Sequence, residues 1–84
     1  MVIEFVMPKL GTTMTDGAVT EWHIKTGDYV AAGDLVASVE SNKATVGVEA
    51  AFSGYLRSIL VDTDETVPIG TVIAYFSESL DEPL

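Results

Sequence analysis

Two stretches of strict alternation face each other across a very short polar interruption. Leu35, Ala37 and Val39 alternate with Val36, Ser38 and Glu40; further on, Val46, Val48 and Ala50 alternate with Thr45, Gly47 and Glu49. Period-2 alternation on both sides of a polar break predicts a β-hairpin with one half-buried face. With Asn42-Lys43 as the loop, Val39 faces Val46, Ala37 faces Val48, Leu35 faces Ala50, and Glu40 meets Thr45 on the other face. A slip of one residue would set Thr45, Gly47 and Glu49 against the apolar row, which burial of one face forbids. A slip of two, with Ser41-Asn42 at the tip, keeps the parity, so the pattern places the tip within two residues of Lys43.

The same grammar recurs elsewhere. Displaced by 37 positions, the chain aligns with itself without a gap from residue 17 onward: Gly17-Ala18-Val19 falls on Gly54-Tyr55-Leu56, Val30 on Val67, Gly33 on Gly70 and Ala37 on Ala74. Glycine and apolar positions coincide although few residues are identical, the mark of one supersecondary unit used twice. Each copy reads as strand, turn, short extended piece, strand. Strands are predicted near 2–7, 17–24, 35–40, 44–50, 54–61 and 71–76, with short pieces near 29–30 and 66–67 and turns at 25–28 and 62–65. Many short strands at regular spacing predict an all-β sandwich or flattened barrel whose two halves are related by a pseudo-twofold axis. Under the repeat Lys43 maps to Leu80, so the halves carry a hairpin tip and a chain end, expected at opposite ends of the molecule.

Composition narrows the function. Eighty-four residues, 48% hydrophobic, suffice for one small core. The formal charge of −9 opposes binding to nucleic acid; it serves solubility, partners with basic surfaces, or both. No cysteine is present, so thiol chemistry would have to arrive on a cofactor. No apolar run approaches a membrane span, and Met1-Val2-Ile3-Glu4-Phe5 reads as a strand rather than a signal or transit peptide. The expected compartment is the cytoplasm of a bacterium or archaeon; a mitochondrial matrix location would require a transit peptide already removed. The acidic segment from Ser77 to Leu84 reads as a tail, or the start of an interdomain linker, after a domain spanning residues 1–76.

Catalytic constellations are missing. His23, the lone histidine, alternates with Trp22 and Ile24 and has no nucleophile or carboxylate placed for a triad. Asp62-Thr63-Asp64-Glu65 lacks the glycine and spacing of a calcium loop and reads as a solvated turn. A chain with no active site and one presented lysine reads as a carrier or a binding module.

Met7-Pro8-Lys9-Leu10-Gly11, Gly17, Trp22, Gly27-Asp28-Tyr29-Val30, Gly33-Asp34, Glu40, Lys43-Ala44, Val48-Glu49-Ala50 and Gly54, taken in order, resemble a lipoyl domain of the acyltransferase (E2) component of 2-oxo acid dehydrogenase complexes. The resemblance runs from about residue 3 to residue 76. It implies two four-stranded antiparallel sheets and lipoic acid in amide linkage to Lys43. It also implies a thiamine-diphosphate-dependent decarboxylase (E1) that acylates the cofactor, transfer to coenzyme A at the E2 core, and reoxidation by the flavin enzyme dihydrolipoamide dehydrogenase (E3). By itself such a domain is a carrier, not an enzyme, and an isolated one is expected to be monomeric. Glu40, Ser41, Asn42 and Ala44 would then present the lysine to a lipoyl ligase or transferase.

Asn42 stands where the family usually has aspartate, Ser41 where threonine is common, and Gly47 where an acidic residue is frequent. The biotin carrier domain shares the presented lysine but flanks it with methionines, which Asn42 and Ala44 replace here. An unmodified docking domain is the other alternative. The loop Leu10-Gly11-Thr12-Thr13-Met14 is expected near the hairpin, as the E1 recognition loop. Leu10 and Met14 are apolar in a segment expected to be exposed; the competing expectation is that both tuck beneath it and cap the barrel end.

Overall fold

The computed structural model describes residues 2–41 and 44–84. Eight strands appear, and no helix among the described residues: β1 (Val2–Val6), β2 (Asp16–Trp22), β3 (Tyr29–Val30), β4 (Leu35–Glu40), β5 (Thr45–Glu49), β6 (Gly54–Ile59), β7 (Thr66–Pro68) and β8 (Val72–Ser77). They form two four-stranded antiparallel sheets, ordered β1-β8-β6-β3 and β5-β4-β2-β7. The two short extended pieces are the exchanged elements. β3 follows β2 yet pairs with β6, and β7 follows β6 yet pairs with β2, so each half donates its shortest strand to the other half's sheet.

The 37-residue displacement holds down to single irregularities. The β2–β4 pairing shifts between Val19 and Glu21, and the β6–β8 pairing between Leu56 and Ser58. The β4–β5 shift between Leu35 and Ala37 has its match where β8, around Val72 and Ala74, meets β1. Gly27 and Asp64 occupy equivalent turns with φ of 96° and 67°. The amide of Gly27 donates to Leu56 O, and that of Asp64 to Val19 O, each half reaching into the other. The symmetry also makes β5 the counterpart of β1: Ala50 N–H donates to Asp34 O as Met7 N–H donates to Thr71 O.

Equivalent positions supply the core. Val19 and Leu56, Val36 and Ile73, Ala37 and Ala74, and Val39 and Phe76 are all fully buried between the sheets. Phe5, Phe52 and Phe76 add edge-to-face contacts with centroids 5.0–6.3 Å apart. The bulge corrects the predicted inward row. Leu35 pairs with Glu49 rather than Ala50, and it is exposed on the outer face, while Val36 turns inward. A β-bulge places two residues against one and so reverses the parity behind it. Gly47 makes room for the displaced side chain, since a Cβ there would lie 2.8 Å from Leu35 Cδ1. Val46, on the inward parity, is 38% exposed because β5 is an edge strand.

The pairings also fix which features share an end. β3 brings the finish of β2 to the first residues of β6, and β7 brings the finish of β6 to the first residues of β2. Strands β2 and β6 therefore start at opposite ends of the body. Glu40 pairs with Ala18 near the start of β2, whereas Ser77 pairs with Tyr55 near the start of β6 and with Val2. The β4–β5 turn thus lies at one end of a body 38 Å long, and both Val2 and Ser77 at the other.

Candidate functional site

The turn is closed by main-chain bonding on both sides of its apex. Glu40 pairs with Thr45. Ser41 N–H donates to Ala44 O at 2.9 Å, and the Ser41 hydroxyl donates to the same oxygen at 3.1 Å. Of the two registers left open by the alternation, this is the one whose loop is Asn42-Lys43. Asn42 and Lys43 themselves lie outside the described residues. Glu40 and Ala44 are exposed and Ser41 is half-buried. The bonds between Ser41 and Ala44 hold the ends of β4 and β5 together.

The loop after β1 meets this turn from the side. Leu10, Gly11, Thr12 and Thr13 are exposed, but Met14 is only 5% exposed and belongs to the core, which corrects the expectation for that residue. Met14 N–H donates to Gly11 O, and Leu10 N–H approaches Met14 Sδ at 3.2 Å. Of the two apolar residues, one anchors the loop and the other stays at the surface. Unbranched and polarisable, methionine suits an irregular gap between a loop and a barrel end. Gly17 is the other half of that fit, because a Cβ there would lie 2.6 Å from Met14 Cε.

Two depressions flank the turn. One, of about 140 Å³, lies between the loop and the hairpin. Leu10, Gly11, Thr13 and Met14 line it on one side, and Ser41, Ala44 and Val46 on the other. The second, of about 200 Å³, is lined by Asp16, Gly17, Ala18, Glu40, Ser41 and Thr66, with Ala18 as a small residue between two polar neighbours. Val46, Asp16 and Thr66 were not singled out from the sequence. The available signal was the repeat, which runs unbroken from Gly17 onward but leaves residues 8–16 without a matching stretch.

Elsewhere the chemistry is sparse. His23 lies just past the end of β2, exposed, with Nε2 2.8 Å from Ser38 Oγ. Asp62-Thr63-Asp64-Glu65 forms the turn after β6, where Asp62 N–H donates to Glu65 Oε1. Among the described residues no group of three or more histidine or acidic side chains could hold a metal ion.

The model of the family described as "Biotin-requiring enzyme", that of biotin and lipoyl attachment domains, matches residues 3–76. The chain is 41% identical over 80 residues to the dihydrolipoyllysine-residue acetyltransferase component of the pyruvate dehydrogenase complex of Zymomonas mobilis, covering 94% of this chain and 18% of that protein. It is 42% identical over 79 residues to the corresponding component of the acetoin cleaving system of Bacillus subtilis, covering 94% of this chain and 20% of that protein. The chain therefore spans about a fifth of the length of these relatives. The solution structure of the lipoyl domain of the 2-oxoglutarate dehydrogenase complex of Azotobacter vinelandii superposes with a TM-score of 0.74 at 28% identity, covering 90% of this chain and 96% of that one.

Proposed function

We propose that this chain, which belongs to the family of biotin and lipoyl attachment domains, is a swinging-arm carrier with lipoic acid in amide linkage to the Lys43 amine. The observation that carries the reading is the position of the β4–β5 turn. Bonds between described residues close it around Asn42-Lys43, at the end of the body opposite both Val2 and Ser77. An amine at that apex is held away from whatever the chain is tethered to, and tethering raises its effective concentration at each partner's active site. Lipoic acid would supply the disulfide chemistry that a cysteine-free chain lacks; the protein's own part is to place and identify the cofactor.

On this reading the partners are a thiamine-diphosphate-dependent E1, an acyltransferase E2 core, the flavin enzyme E3, and a lipoyl ligase that meets Glu40, Ser41, Asn42 and Ala44. The exposed part of the Leu10–Met14 loop is the surface offered to E1. The segment from Ser77 leads toward a linker to the rest of an E2 chain. Relatives are found in bacteria, chloroplasts and mitochondria, and the bacterial or archaeal cytoplasm is the compartment we assign.

Intact mass after treatment with lipoyl ligase and lipoate tests the attachment. The expected result is one lipoyl group per chain, mapped to the peptide containing Lys43 and absent from Lys43→Ala. Moving the lysine to position 42 or 44 should abolish modification without unfolding the domain, because the β4–β5 register sets which positions fall in the loop. Asn42→Asp should be accepted. A biotin adduct, or an unmodified chain, would overturn the assignment.

A further inference from the structure

The two halves also differ where β6 ends. Leu60, the residue after β6, is 47% exposed, and Ile59 is 36% exposed. β3 pairs with β6 only at Gly54 and Tyr55, so this stretch of β6 is an open edge of its sheet. On the other side Leu60 N–H donates to Ile73 O of β8, and Val72 of β8 pairs with Val6 of β1, itself 38% exposed. Val6, Val72 and Leu60 thus form an apolar strip across the sheet, with Ile59 exposed at its edge. The strip lies at the end of the body that carries the β4–β5 turn, but on the other sheet. The first half shows that the fold does not require it. The 37-residue displacement puts His23 at the place of Leu60, and the pairing that matches Val6–Val72 is Glu49–Leu35.

Charge is distributed in the same uneven way. The turn that follows, Asp62-Thr63-Asp64-Glu65, carries three exposed carboxylates, whereas its counterpart Lys25-Thr26-Gly27-Asp28 carries one charge of each sign. The acidic turn is also held in place: Asp64 N–H donates to Val19 O at 2.7 Å, and Asp62 N–H to Glu65 Oε1 at 3.1 Å. We infer that the strip and this turn form a docking surface for a protein partner that presents apolar side chains flanked by lysine or arginine. It shares no residue with the Leu10–Met14 loop or the β4–β5 turn. Exposed apolar surface is stabilised by being covered, and the adjoining carboxylates select what covers it. A second copy would bring its own charge of −9 and its own acidic turn, and nucleic acid would bring phosphates, so both are repelled. A basic surface with an apolar centre matches both parts. Because the turn is tied to the body by its main chain, little ordering is needed when such a partner arrives.

The test is an amide NMR titration of the ¹⁵N-labelled domain with three synthetic peptides. The first has two leucines flanked on each side by two lysines; the second has glutamates in place of the lysines, and the third serines in place of the leucines. The first peptide should bind saturably, with its largest shifts at Val6, Ile59, Leu60, Val72 and residues 62–65. The glutamate peptide should leave the spectrum unchanged, and the serine peptide should bind at least about fivefold more weakly, the loss expected when leucine surface is no longer buried. Leu60→His installs the residue that the first half holds at the same position. At pH 8, where an imidazole is neutral, it should weaken the first peptide by a similar factor. Asp62→Asn, on an exposed side chain, tests the same surface without altering the strip, and its effect should shrink as salt is added. Equal binding of the leucine and serine peptides, or shifts spread over the whole acidic surface, would reduce the effect to net charge and overturn the docking surface. Absence of saturable binding, or parent-like affinity in both variants, would overturn it as well.

Discussion

The connection from Met7 to Gly17 and the connection from Ala50 to Gly54 occupy the same place in the two halves, and they have been built differently. At the second, three residues cross the barrel end, and Phe52 stacks edge-to-face on Phe5 and Phe76. At the first, nine residues cross, one methionine reaches the core, and a cleft remains beside the β4–β5 turn. The rows across the outer faces differ in the same sense. Thr45, Glu40, Ala18 and Thr66 form one row, with a recess at Ala18; Val2, Ser77, Tyr55 and Tyr29 form its counterpart, where the two tyrosines pack at 5.1 Å. The duplicated parts, down to bulges and turn glycines, make the fold. The end that carries the lysine is the end where duplication lapses and surface is left open.

The sharpest way to test that contrast is at the glycines where both connections arrive. A Cβ on Gly54 would lie 2.8 Å from the main-chain oxygen of Ser77, the last residue of β8, which pairs with both Val2 and Tyr55. At Gly17 the nearest atom is the tip of a flexible side chain, Met14 Cε at 2.6 Å, with Glu40 O at 3.2 Å. Backbone in a sheet cannot yield as a methionine can. Gly54→Ala should therefore cost about 3 kcal/mol and Gly17→Ala about 1 kcal/mol, read from denaturant midpoints at constant m. Equal losses would mean that the two ends are equally rigid and that the comparison fails.

Smaller effects are expected at the exchanged turns, which the symmetry makes equivalent. Gly27 adopts φ of 96° and Asp64, alone among non-glycine residues described, adopts 67°. Both amides reach across to the other half, so neither backbone can relax. Gly27→Ala should cost about 1 kcal/mol, whereas Asp64→Gly should gain about 0.5 kcal/mol by removing the strain of a side chain in the left-handed region. Thermal unfolding of the two variants measures the difference, and a loss on Asp64→Gly would show that its side chain supports the turn.

The alternation around residues 35–50 exposed the hairpin, and the spacing of Gly17, Gly33, Gly54 and Gly70 exposed the repeat, because both are written in side-chain periodicity and backbone freedom. Leu35 was misplaced since a bulge reverses parity without altering composition. Met14 was only half legible, as a single methionine among threonines reads as surface until the gap it fills is known. The cleft itself was not legible. It arises from a mismatch between two connections, and only the pairing of β5 as the counterpart of β1 reveals which connections to compare. The strand exchange of β3 and β7 was likewise hidden, since two- and three-residue pieces carry no period.

The smallest expected effect lies at the far end, where the chain leaves the body. Arg57, the single arginine, donates from Nη1 to Ser77 Oγ at 2.9 Å, to Ser79 O at 3.1 Å and to Glu82 O. Ser77 Oγ in turn donates to Ser79 O at 2.6 Å. The segment expected as a tail or the start of a linker is bonded to β6 through Arg57, and Ser77 is fully buried. At the equivalent position the first half has Thr20, whose hydroxyl donates to Ser38 O in the neighbouring strand. A long guanidinium fork gathers residues 77–82 at one end of the body, and a short hydroxyl stands at the matching position toward the other. Arg57→Met keeps the aliphatic stem and removes the donors. Because Ser77 Oγ keeps its own bond to Ser79 O and the other two acceptors lie in a terminal segment that can turn to water, global stability should fall by no more than about 1 kcal/mol. Amide exchange at residues 79–82 should accelerate at least about tenfold, as expected for a segment that then opens on its own, while exchange in β4 and β5 stays as it was. Unchanged exchange at residues 79–82 would show that the tail is held by something other than Arg57, and the two ends of the molecule would then differ less in construction than their side chains suggest.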